Sequence, residues 1–235
     1  MIPAYNEEAR LPGSLEKVID YLRERQFGFS EIVVVDDGSR DGTAKFVEQK
    51  MIAHPNLRLV RNPGNRGKGF TVRHGVMESR GEWILSTDAD LSAPIAELDK
   101  LLAAVERENA RVAIGSRALD RSLVGVHQSA LREAAGRVFN WMMRVVTGLP
   151  FRDTQCGFKL FEAAAAREIF SRQTLDGFSF DVEDLVIAKV LGYKAIEVPV
   201  VWNNVEGTKV SALSGAASYA ALLGIRWRAL TGKYK

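Results

Sequence analysis

The stretch EIVVVDD, residues 31–37, decides the fold class of this sequence. It is a short β-branched run with no polar residue inside it, and it ends in two acids. A strand with one solvated face alternates apolar and polar residues, whereas a parallel strand covered on both faces is continuously apolar. The stretch therefore predicts a buried parallel strand with Asp36 and Asp37 at its carboxyl end.

The segments around this stretch alternate between helical and strand patterns. Four β–α alternations predict an α/β fold, with a doubly wound, mostly parallel sheet flanked by helices and ligands bound at the carboxyl ends of the strands. The start, MIPAYNEE, is interpreted as the end of a strand whose beginning is missing. The other predicted strands are residues 57–62, 82–90 and 111–117, and the predicted helices are residues 14–26, 41–51, 70–79 and 94–106.

The regular alternation of predicted strands and helices does not continue in the second half of the chain, but no Pro- or Ser-rich linker marks a second domain. One domain is therefore expected over residues 1–235. Residues 129–146 predict an amphipathic helix, in which we expect Trp141, Met142 and Met143 to pack in the core. The remaining predicted elements are a helix near 181–191, the strand AIEVPVVW (195–202) and an amphipathic tail over residues 211–235.

The composition is that of a folded α/β protein, with 46% hydrophobic residues among 235. The single cysteine, Cys156, excludes an internal disulfide and indicates a reducing compartment. The longest uncharged run, residues 210–225, is too short and too weakly apolar to span a bilayer.

Charge is distributed unevenly along the chain. Residues 1–109 carry 15 basic and 18 acidic side chains, whereas residues 110–235 carry 17 basic and 11 acidic ones. This asymmetry predicts that the second half meets an anionic ligand or surface. No zinc-ligand spacing or aromatic RNA-binding signature accompanies it, so we expect no nucleic-acid partner.

Polar clusters follow the predicted strands. Any one of them is explained by the Asp, Asn and Gly that turns require, but five at one edge of a sheet indicate a binding crevice. The clusters are PAYNEE (3–8), DDGSRDGT (36–43), NPGNRGKG (62–69), DAD (88–90) and GSR (115–117).

The glycine-rich cluster is not a Walker A loop. Asn62 stands where that motif has its first glycine, and Gly69 follows the lysine where Ser or Thr is needed. Its glycines still allow close backbone approach to an anion, and Arg66 and Lys68 supply charge for a phosphate.

The DAD cluster carries the chemistry. We expect residues 88–90 to be extended, which places the carboxylates of Asp88 and Asp90 on the same side. Mg²⁺ and Mn²⁺ prefer such oxygen ligands and commonly bridge to substrate phosphates. The alternative is two solvated turn aspartates.

In this order and spacing, these motifs resemble the family-2 inverting glycosyltransferases, which have a GT-A fold. Three later segments narrow the resemblance to dolichyl-phosphate glucosyltransferases and their prokaryotic polyprenyl-phosphate relatives, next to dolichyl-phosphate mannosyltransferases. These segments are FRDTQCGFKLF (151–161), FDVEDL (180–185) and VEGTKV (205–210).

The resemblance implies a role for each matching residue. Residues 1–117 would form the nucleotide-sugar half and residues 118–235 the acceptor half, with amphipathic helices that face a membrane. Asp90 and Asp153 would be the catalytic carboxylates, and Asp88 and Asp90 would bind Mg²⁺ or Mn²⁺ on the donor diphosphate. The acceptor phosphate would be held by Arg117, Arg132 and Lys209. The donor site would comprise Pro3, Ala4, Tyr5, Glu7, Asp36, Asp37, Lys68, Asp88, Ala89 and Asp90.

The sequence departs from the resemblance at Ser92, because mannosyltransferase relatives often have Gln there as a further metal ligand. None of the three histidines lies in a matching motif. A phosphate acceptor is already ionised near pH 7 and needs cations rather than a base. Asp153 or Asp181 remains a possible base for a hydroxyl acceptor, although Asp181 also fits an ordinary acidic helix start.

The expected reaction moves glucose from UDP-glucose to a polyprenyl or dolichyl phosphate with inversion. GDP-mannose is the second donor considered, and a saccharide hydroxyl is the alternative acceptor. Nucleotidyl transfer and a non-catalytic binding module are the rival classes. We expect peripheral association with the cytoplasmic face of a membrane, with Trp227 and Tyr234 at the interface, although ordinary surface helices explain the tail equally well.

Overall fold

The computed structural model describes residues 1–125, 140–203 and 213–235, with the backbone alone for 213–219. Strands and helices alternate through most of the chain. The strands are β1 Ile2–Ala4, β2 Ile32–Asp36, β3 Leu57–Arg61, β4 Trp83–Ser86, β5 Val112–Ser116, β6 Lys159–Glu162 and β7 Ala195–Pro199. The helices are α1 Leu11–Arg25, α2 Thr43–Met51, α3 Lys68–Glu78, α4 Leu98–Glu108, α5 Ala163–Arg172, α6 Phe180–Val190 and α7 Leu213–Leu230, and residues 140–147 are also helical.

The sheet is built in two parts that meet at β1 and β4. The first part has the order β1-β2-β3 and is parallel throughout. The second has the order β4-β6-β5-β7, with β6 antiparallel to both of its neighbours. The Met1 amino group donates to the Leu85 carbonyl at 2.6 Å, and the Thr87 amide donates to the Met1 carbonyl at 3.2 Å. These two backbone hydrogen bonds tie the two parts of the sheet together at β1 and β4.

The α/β prediction is confirmed, and strand β2 shows why. All five of its residues are buried, as expected for a strand covered on both faces. Successive side chains of β5 likewise face opposite sides of the sheet. Ala113 belongs to the core formed with α1 and α4, whereas Val112 and Ile114 belong to the core formed with α3, α5 and α6.

Two details of the strands differ from the sequence expectations. Strand β6 was not predicted, because its first residue, Lys159, is charged and the strand is only four residues long. The strand predicted over residues 82–90 ends at Ser86. The Leu91 amide donates to the Asp88 carbonyl at 3.0 Å, so Asp88 and Asp90 lie in a turn and the expected extended segment is wrong.

The C-terminal part corrects two further expectations. In the helical residues 140–147, Met143 is buried but Trp141 is 64% exposed, so its expected place in the core is wrong. Tyr234 is buried, and its hydroxyl donates to Glu183, so it cannot lie at a membrane interface. Within the described ranges, no helix is both long and apolar enough to cross a bilayer.

Candidate active site

The first wall of the candidate site is formed where β1 and β2 end. The Asp37 amide donates to the Ala4 carbonyl at 2.8 Å, which ties the two strand ends together. The Asp37 carboxylate accepts from the Asn62 side chain at 2.7 Å and from the amides of Arg66 and Gly67 at 2.9 Å each. Asp37 therefore holds the glycine-rich segment in place.

This wall also depends on a close approach between two backbones. Gly38 has φ +74°, and a Cβ there would collide with the backbone of Gly64. A side chain at position 38 would push the two loops apart, so the glycine is required by space as well as by conformation. Asp36 is buried beside it and accepts from the Ser39 amide at 3.2 Å.

The segment after β1 presents Glu7 and Arg10 toward the same edge. The Glu7 carboxylate accepts two hydrogen bonds from Arg10, at 2.6 and 2.7 Å, which is the planar two-point pairing that guanidinium favours. Pro3 and Tyr5 are half-buried, whereas Ala4 and Glu7 are buried. The donor-site residues predicted from PAYNEE therefore lie together at the end of β1.

Asp88 pairs with Lys68, the first residue of α3. The Lys68 ammonium lies 2.7 Å from the Asp88 carboxylate, and the two side chains are 23% and 28% exposed. Burial alone would raise the pKa of Asp88, but the charge and hydrogen bond of Lys68 outweigh it and hold that pKa below its ordinary value. A Cβ at Gly157 would collide with the Asp88 carboxylate, so that glycine makes the cradle in which the carboxylate sits.

Asp90 is held by its neighbour in sequence. The Ser92 amide and hydroxyl both donate to one Asp90 oxygen, at 3.0 and 2.9 Å, and the other oxygen lies 3.9 Å from Arg10. Ser92 therefore orients Asp90, a role that the sequence did not reveal. Ala89 is buried between the two acids.

Arg117 and Asp153 form the second wall, at the end of β5. The Arg117 amide and guanidinium donate three hydrogen bonds to the Asp153 carboxylate, at 3.1, 2.6 and 2.8 Å. The Arg117 guanidinium also stacks 4.9 Å above the Trp202 ring, while about a third of the side chain stays exposed. Burial would raise the pKa of Asp153, but Arg117 holds it below its usual value.

Behind these walls lies a buried polar cluster, of which sequence reasoning considered Asp181 but not its pairing with Lys159. Lys159 on β6 bonds to Asp181 at the start of α6. Both side chains are almost completely buried, at 4% and 6% exposure. Glu183 accepts from Thr174 and from Tyr234, so these acids do more than favour a helix dipole. No sequence signal for this cluster was available, because the strand that begins at Lys159 was itself not predicted.

Asp184 completes the cluster. Neither of its carboxylate oxygens has a hydrogen-bond partner within the described part of the chain. Burial, with the nearby charge of Asp181, raises the pKa of Asp184 well above its usual range and favours its neutral form. Cys156 is also buried, and burial raises the pKa of its thiol to about 12, as expected for a packed residue rather than a nucleophile.

The comparison with known proteins decides the family. The family described as Glycosyl transferase family 2 matches residues 1–170. The chain belongs to glycosyltransferase family 2. The match covers β1 to β6 and therefore includes Lys68, Asp88, Asp90, Arg117 and Asp153.

Curated relatives align with nearly the whole of this glycosyltransferase. A dolichyl-phosphate beta-glucosyltransferase of Trichomonas vaginalis is 36% identical over 229 residues, which cover 94% of this chain and 69% of the relative. The enzymes of that name from Dictyostelium discoideum and Homo sapiens are 35% and 36% identical, and the alignments cover the whole of this chain and 75% and 76% of theirs. The resemblance stated from the motifs is confirmed, and the chain is a hexosyltransferase of family 2.

Solved structures confirm the GT-A fold. Glucosyl-3-phosphoglycerate synthase from Mycobacterium tuberculosis, in complex with Mn²⁺, UDP-glucose and phosphoglyceric acid, superposes with a TM-score of 0.66 at 20% identity, over 96% of this chain and 77% of that one. Mannosyl-3-phosphoglycerate synthase from Rubrobacter xylanophilus superposes with a TM-score of 0.67 at 19% identity, over 99% and 73%. These likenesses concern the fold alone.

The carboxylates of the glycosyltransferase fit a hard divalent cation bound jointly with a diphosphate. Among the residues that the structure describes, no group of three or more His, Cys, Asp or Glu side chains could hold a metal ion. Two carboxylates suffice when phosphates and waters complete the shell, as is common for Mg²⁺. Asp88 and Asp90 provide hard oxygen ligands, and the Gly157 cradle leaves room for the first of them. Arg132 and Lys209, expected to hold the acceptor phosphate, lie outside the described residues.

Proposed function

We propose that this glycosyltransferase transfers glucose from UDP-glucose to a polyprenyl phosphate of the dolichyl type, with inversion at the sugar carbon. The names of the curated relatives support the acceptor and the sugar, because the alignments span at least 94% of this chain. They also span more than two thirds of each relative.

The observation that carries the proposal is the pairing of Arg117 with Asp153 within electrostatic range of Asp88. Arg117 contacts Asp153 directly, and the charges of Arg117 and Asp88 shift each other's pKa. A cation suited to an acceptor phosphate therefore acts within the field of a carboxylate suited to the donor diphosphate. Two anionic substrates meeting at one sugar carbon need such fixed charges between them.

The charges favour a phosphate acceptor over a hydroxyl acceptor. A hydroxyl must lose a proton to a base whose pKa lies near the working pH. Asp153 is poorly suited to that task, because Arg117 holds its pKa below the ordinary value. A phosphate monoester arrives largely ionised, so Asp153 has only to orient Arg117.

The proposed reaction is a single displacement. An ionised oxygen of the lipid phosphate attacks the anomeric carbon as the bond from that carbon to the UDP oxygen breaks, and UDP leaves with the electron pair. Lys68 and Arg117 bind and orient the two anionic substrates. A divalent cation held by Asp88 and Asp90 would neutralise charge on the leaving diphosphate.

The donor assignment separates two related activities. Glucose is supported by the names of the relatives, and UDP-glucose is the donor present with Mn²⁺ in the mycobacterial structure of similar fold. GDP-mannose is the second candidate, because the early motifs are common to both activities. The two donors differ in base and in sugar, so a panel of nucleotide sugars distinguishes them.

We further propose that the enzyme works at a membrane surface. The helical residues 140–147 and α7 are tied together by Arg226, which donates to the Val146 carbonyl at 2.5 Å. Both helices present large apolar side chains to solvent beside exposed arginines, as interfacial helices do. The exposed apolar residues are Trp141, Val145, Leu223, Trp227 and Leu230.

This apolar surface has a direct test. Binding to vesicles that contain anionic lipid should weaken about tenfold in Trp227→Ala, because an interfacial tryptophan is lost. Phe29→Ala is the matched control, since Phe29 is 58% exposed near the end of α1, and it should bind like the wild type. Equal binding by both variants would contradict the proposed surface. The single buried Cys156 fits a reducing compartment, which supports the cytoplasmic face.

The experiment that tests the function offers UDP-glucose, GDP-mannose and other nucleotide sugars with a short polyprenyl phosphate and Mg²⁺ or Mn²⁺. We expect glucose alone to pass to lipid, and UDP to be released. Release of inorganic diphosphate would indicate nucleotidyl transfer, and transfer only to added saccharides would overturn the phosphate acceptor. The absence of transfer from every donor would support a non-catalytic binding module.

A further inference from the structure

We propose that Lys68 is an exchangeable counter-ion that holds the place of the divalent cation at Asp88 and moves to the donor diphosphate when the cation binds. Metal and nucleotide would then each strengthen the binding of the other. This inference rests on the part of the proposed function that brings a divalent cation and a nucleoside diphosphate together at Asp88 and Asp90.

The Lys68–Asp88 pair lies where a ligand can reach it. The 2.7 Å contact joins two side chains that are each about a quarter exposed, at 23% and 28%. A lysine ammonium is charged at neutral pH, so the contact with Asp88 is a full ion pair, and Asp90 also lies within the field of Lys68.

The backbone under Lys68 is fixed, so only its side chain is free to exchange partners. The Gly67 amide donates to Asp37 at 2.9 Å, and the Gly69 amide donates to the Asp176 carbonyl at 2.7 Å. A Cβ at either glycine would collide with the backbone of residues 175–176. A flexible four-carbon stem on a fixed backbone can swing its ammonium from one anion to another over a few ångströms.

Arg10, a cation near the acidic pair formed by Asp88 and Asp90, is held differently. Its guanidinium makes two short hydrogen bonds to Glu7 and lies 3.9 Å from Asp90. Arg10 is thus committed to a carboxylate outside the pair, whereas the ion pair of Lys68 is with a proposed metal ligand itself. This contrast assigns the exchange to Lys68.

The exchange has a thermodynamic consequence. A divalent cation that binds Asp88 while Lys68 remains in place meets a like charge at close range, so it binds weakly by itself. A diphosphate that accepts the ammonium removes this repulsion. Because coupling between two ligands is reciprocal, the cation strengthens nucleotide binding by the same factor.

The test measures Mn²⁺ and nucleotide binding by titration calorimetry in the wild type and in Lys68→Met. We expect Lys68→Met to bind Mn²⁺ alone about tenfold more tightly than the wild type, within the usual range of coupling between sites. We expect it to bind UDP or GDP alone more weakly. The tightening of Mn²⁺ binding by saturating nucleotide should be smaller in the variant than in the wild type.

Two further variants serve as controls. Lys100 also makes a 2.7 Å ion pair, but with Glu97 rather than with Asp88 or Asp90. Lys100→Met should therefore leave unchanged the affinities for Mn²⁺ alone, for the nucleotide alone and for Mn²⁺ in the presence of nucleotide. Lys68→Arg keeps a cation at Asp88 and should bind Mn²⁺ alone as weakly as the wild type. A thermal melt checks that each variant is folded.

The outcomes separate this inference from the proposed function. If wild type binds Mn²⁺ and a nucleotide without coupling, or if Lys68→Met binds Mn²⁺ alone no more tightly, the exchange is overturned and the transferase assignment stands. Wild type that binds neither ligand overturns both. If Lys68→Met does not fold, Lys68→Gln, which also removes the charge, takes its place in the same titrations, and Mn²⁺ binding no tighter than in the wild type overturns the exchange.

Discussion

Two lysine–aspartate pairs lie close together in this molecule, and they differ in their access to solvent. Lys68 and Asp88 are 23% and 28% exposed, whereas Lys159 and Asp181 are 4% and 6% exposed. Water or a ligand can replace either partner of the exposed pair. Separation of the buried pair would leave two charges in a medium that solvates them poorly.

This difference shows that the site combines an ion pair whose partners can be exchanged with an ion pair whose partners stay together. Burial raises the pKa values of Asp88 and Asp153, and Lys159 adds to the lowering of both by their direct partners, Lys68 and Arg117. Its charge therefore acts on Asp88 and on Asp153 of the second wall, and its pairing with Asp181 keeps it in place. Lys68 and Asp88 can then change partners while the charges of Lys159 and Asp181 stay in place.

The largest expected effect, on the free energy of unfolding, comes from breaking the buried pair. Lys159→Met leaves the Asp181 carboxylate buried without its partner, which we expect to lower the free energy of unfolding by about 3–5 kcal/mol. The double variant Lys159→Met/Asp181→Asn removes both charges and should recover most of the loss. Urea unfolding followed by circular dichroism measures both. A single variant as stable as the wild type, or a double variant no better than the single, would show that the pair is not essential.

A smaller effect, on activity rather than stability, is expected from the exposed pair. Asp88→Asn keeps the shape of the side chain but removes a proposed cation ligand and the partner of Lys68. Sugar transfer should fall about a hundredfold or more, as seen when metal-site residues are lost. The free energy of unfolding should change by no more than about 1 kcal/mol, because a partly solvated pair contributes little. Transfer at the wild-type rate would refute the metal assignment.

The fold was predictable where the residue pattern of a single strand indicates which of its faces are covered. The continuous apolar run of β2 requires cover on both faces, and the motifs at the strand ends locate the crevice. Strand β6 was not predictable in this way. Its Lys159 is stabilised by Asp181, which is 22 residues away in sequence and belongs to a helix, so the strand pattern depends on a tertiary contact.

The site was predictable in its residue types but not in its pairings. The sequence indicated Asp88, Asp90, Arg117 and Asp153, but it could not show that Arg117 and Asp153, 36 residues apart, neutralise each other. It also did not show that Asp37, which the resemblance assigns to the donor site, holds the backbone of the glycine-rich segment. Partners are set by the packing of whole elements, which local patterns do not record. The donor, acceptor and metal roles themselves stay predictions.

The smallest expected effect is a pH dependence that sharpens the contrast between buried and exposed charge. Burial alone would raise the pKa of Asp153, but its pairing with Arg117 lowers it, so the folded state holds the ionised form more strongly than the unfolded chain does. The stability from this pair is therefore present above the unfolded pKa of about 4 and is lost as pH falls through the folded pKa. Between pH 6 and pH 2, the free energy of unfolding should fall less steeply with pH in Asp153→Asn than in the wild type, by up to about 1.4 kcal/mol per pH unit for the missing proton.

Asp120→Asn is the matched control. The Ser122 hydroxyl lowers the pKa of the Asp120 carboxyl, but this carboxyl is in full contact with solvent, so the change in slope should be much smaller. Parallel curves for wild type and Asp153→Asn would mean that Arg117 does not hold Asp153 ionised, and the second wall of the site would then lack the fixed pair on which the phosphate acceptor depends.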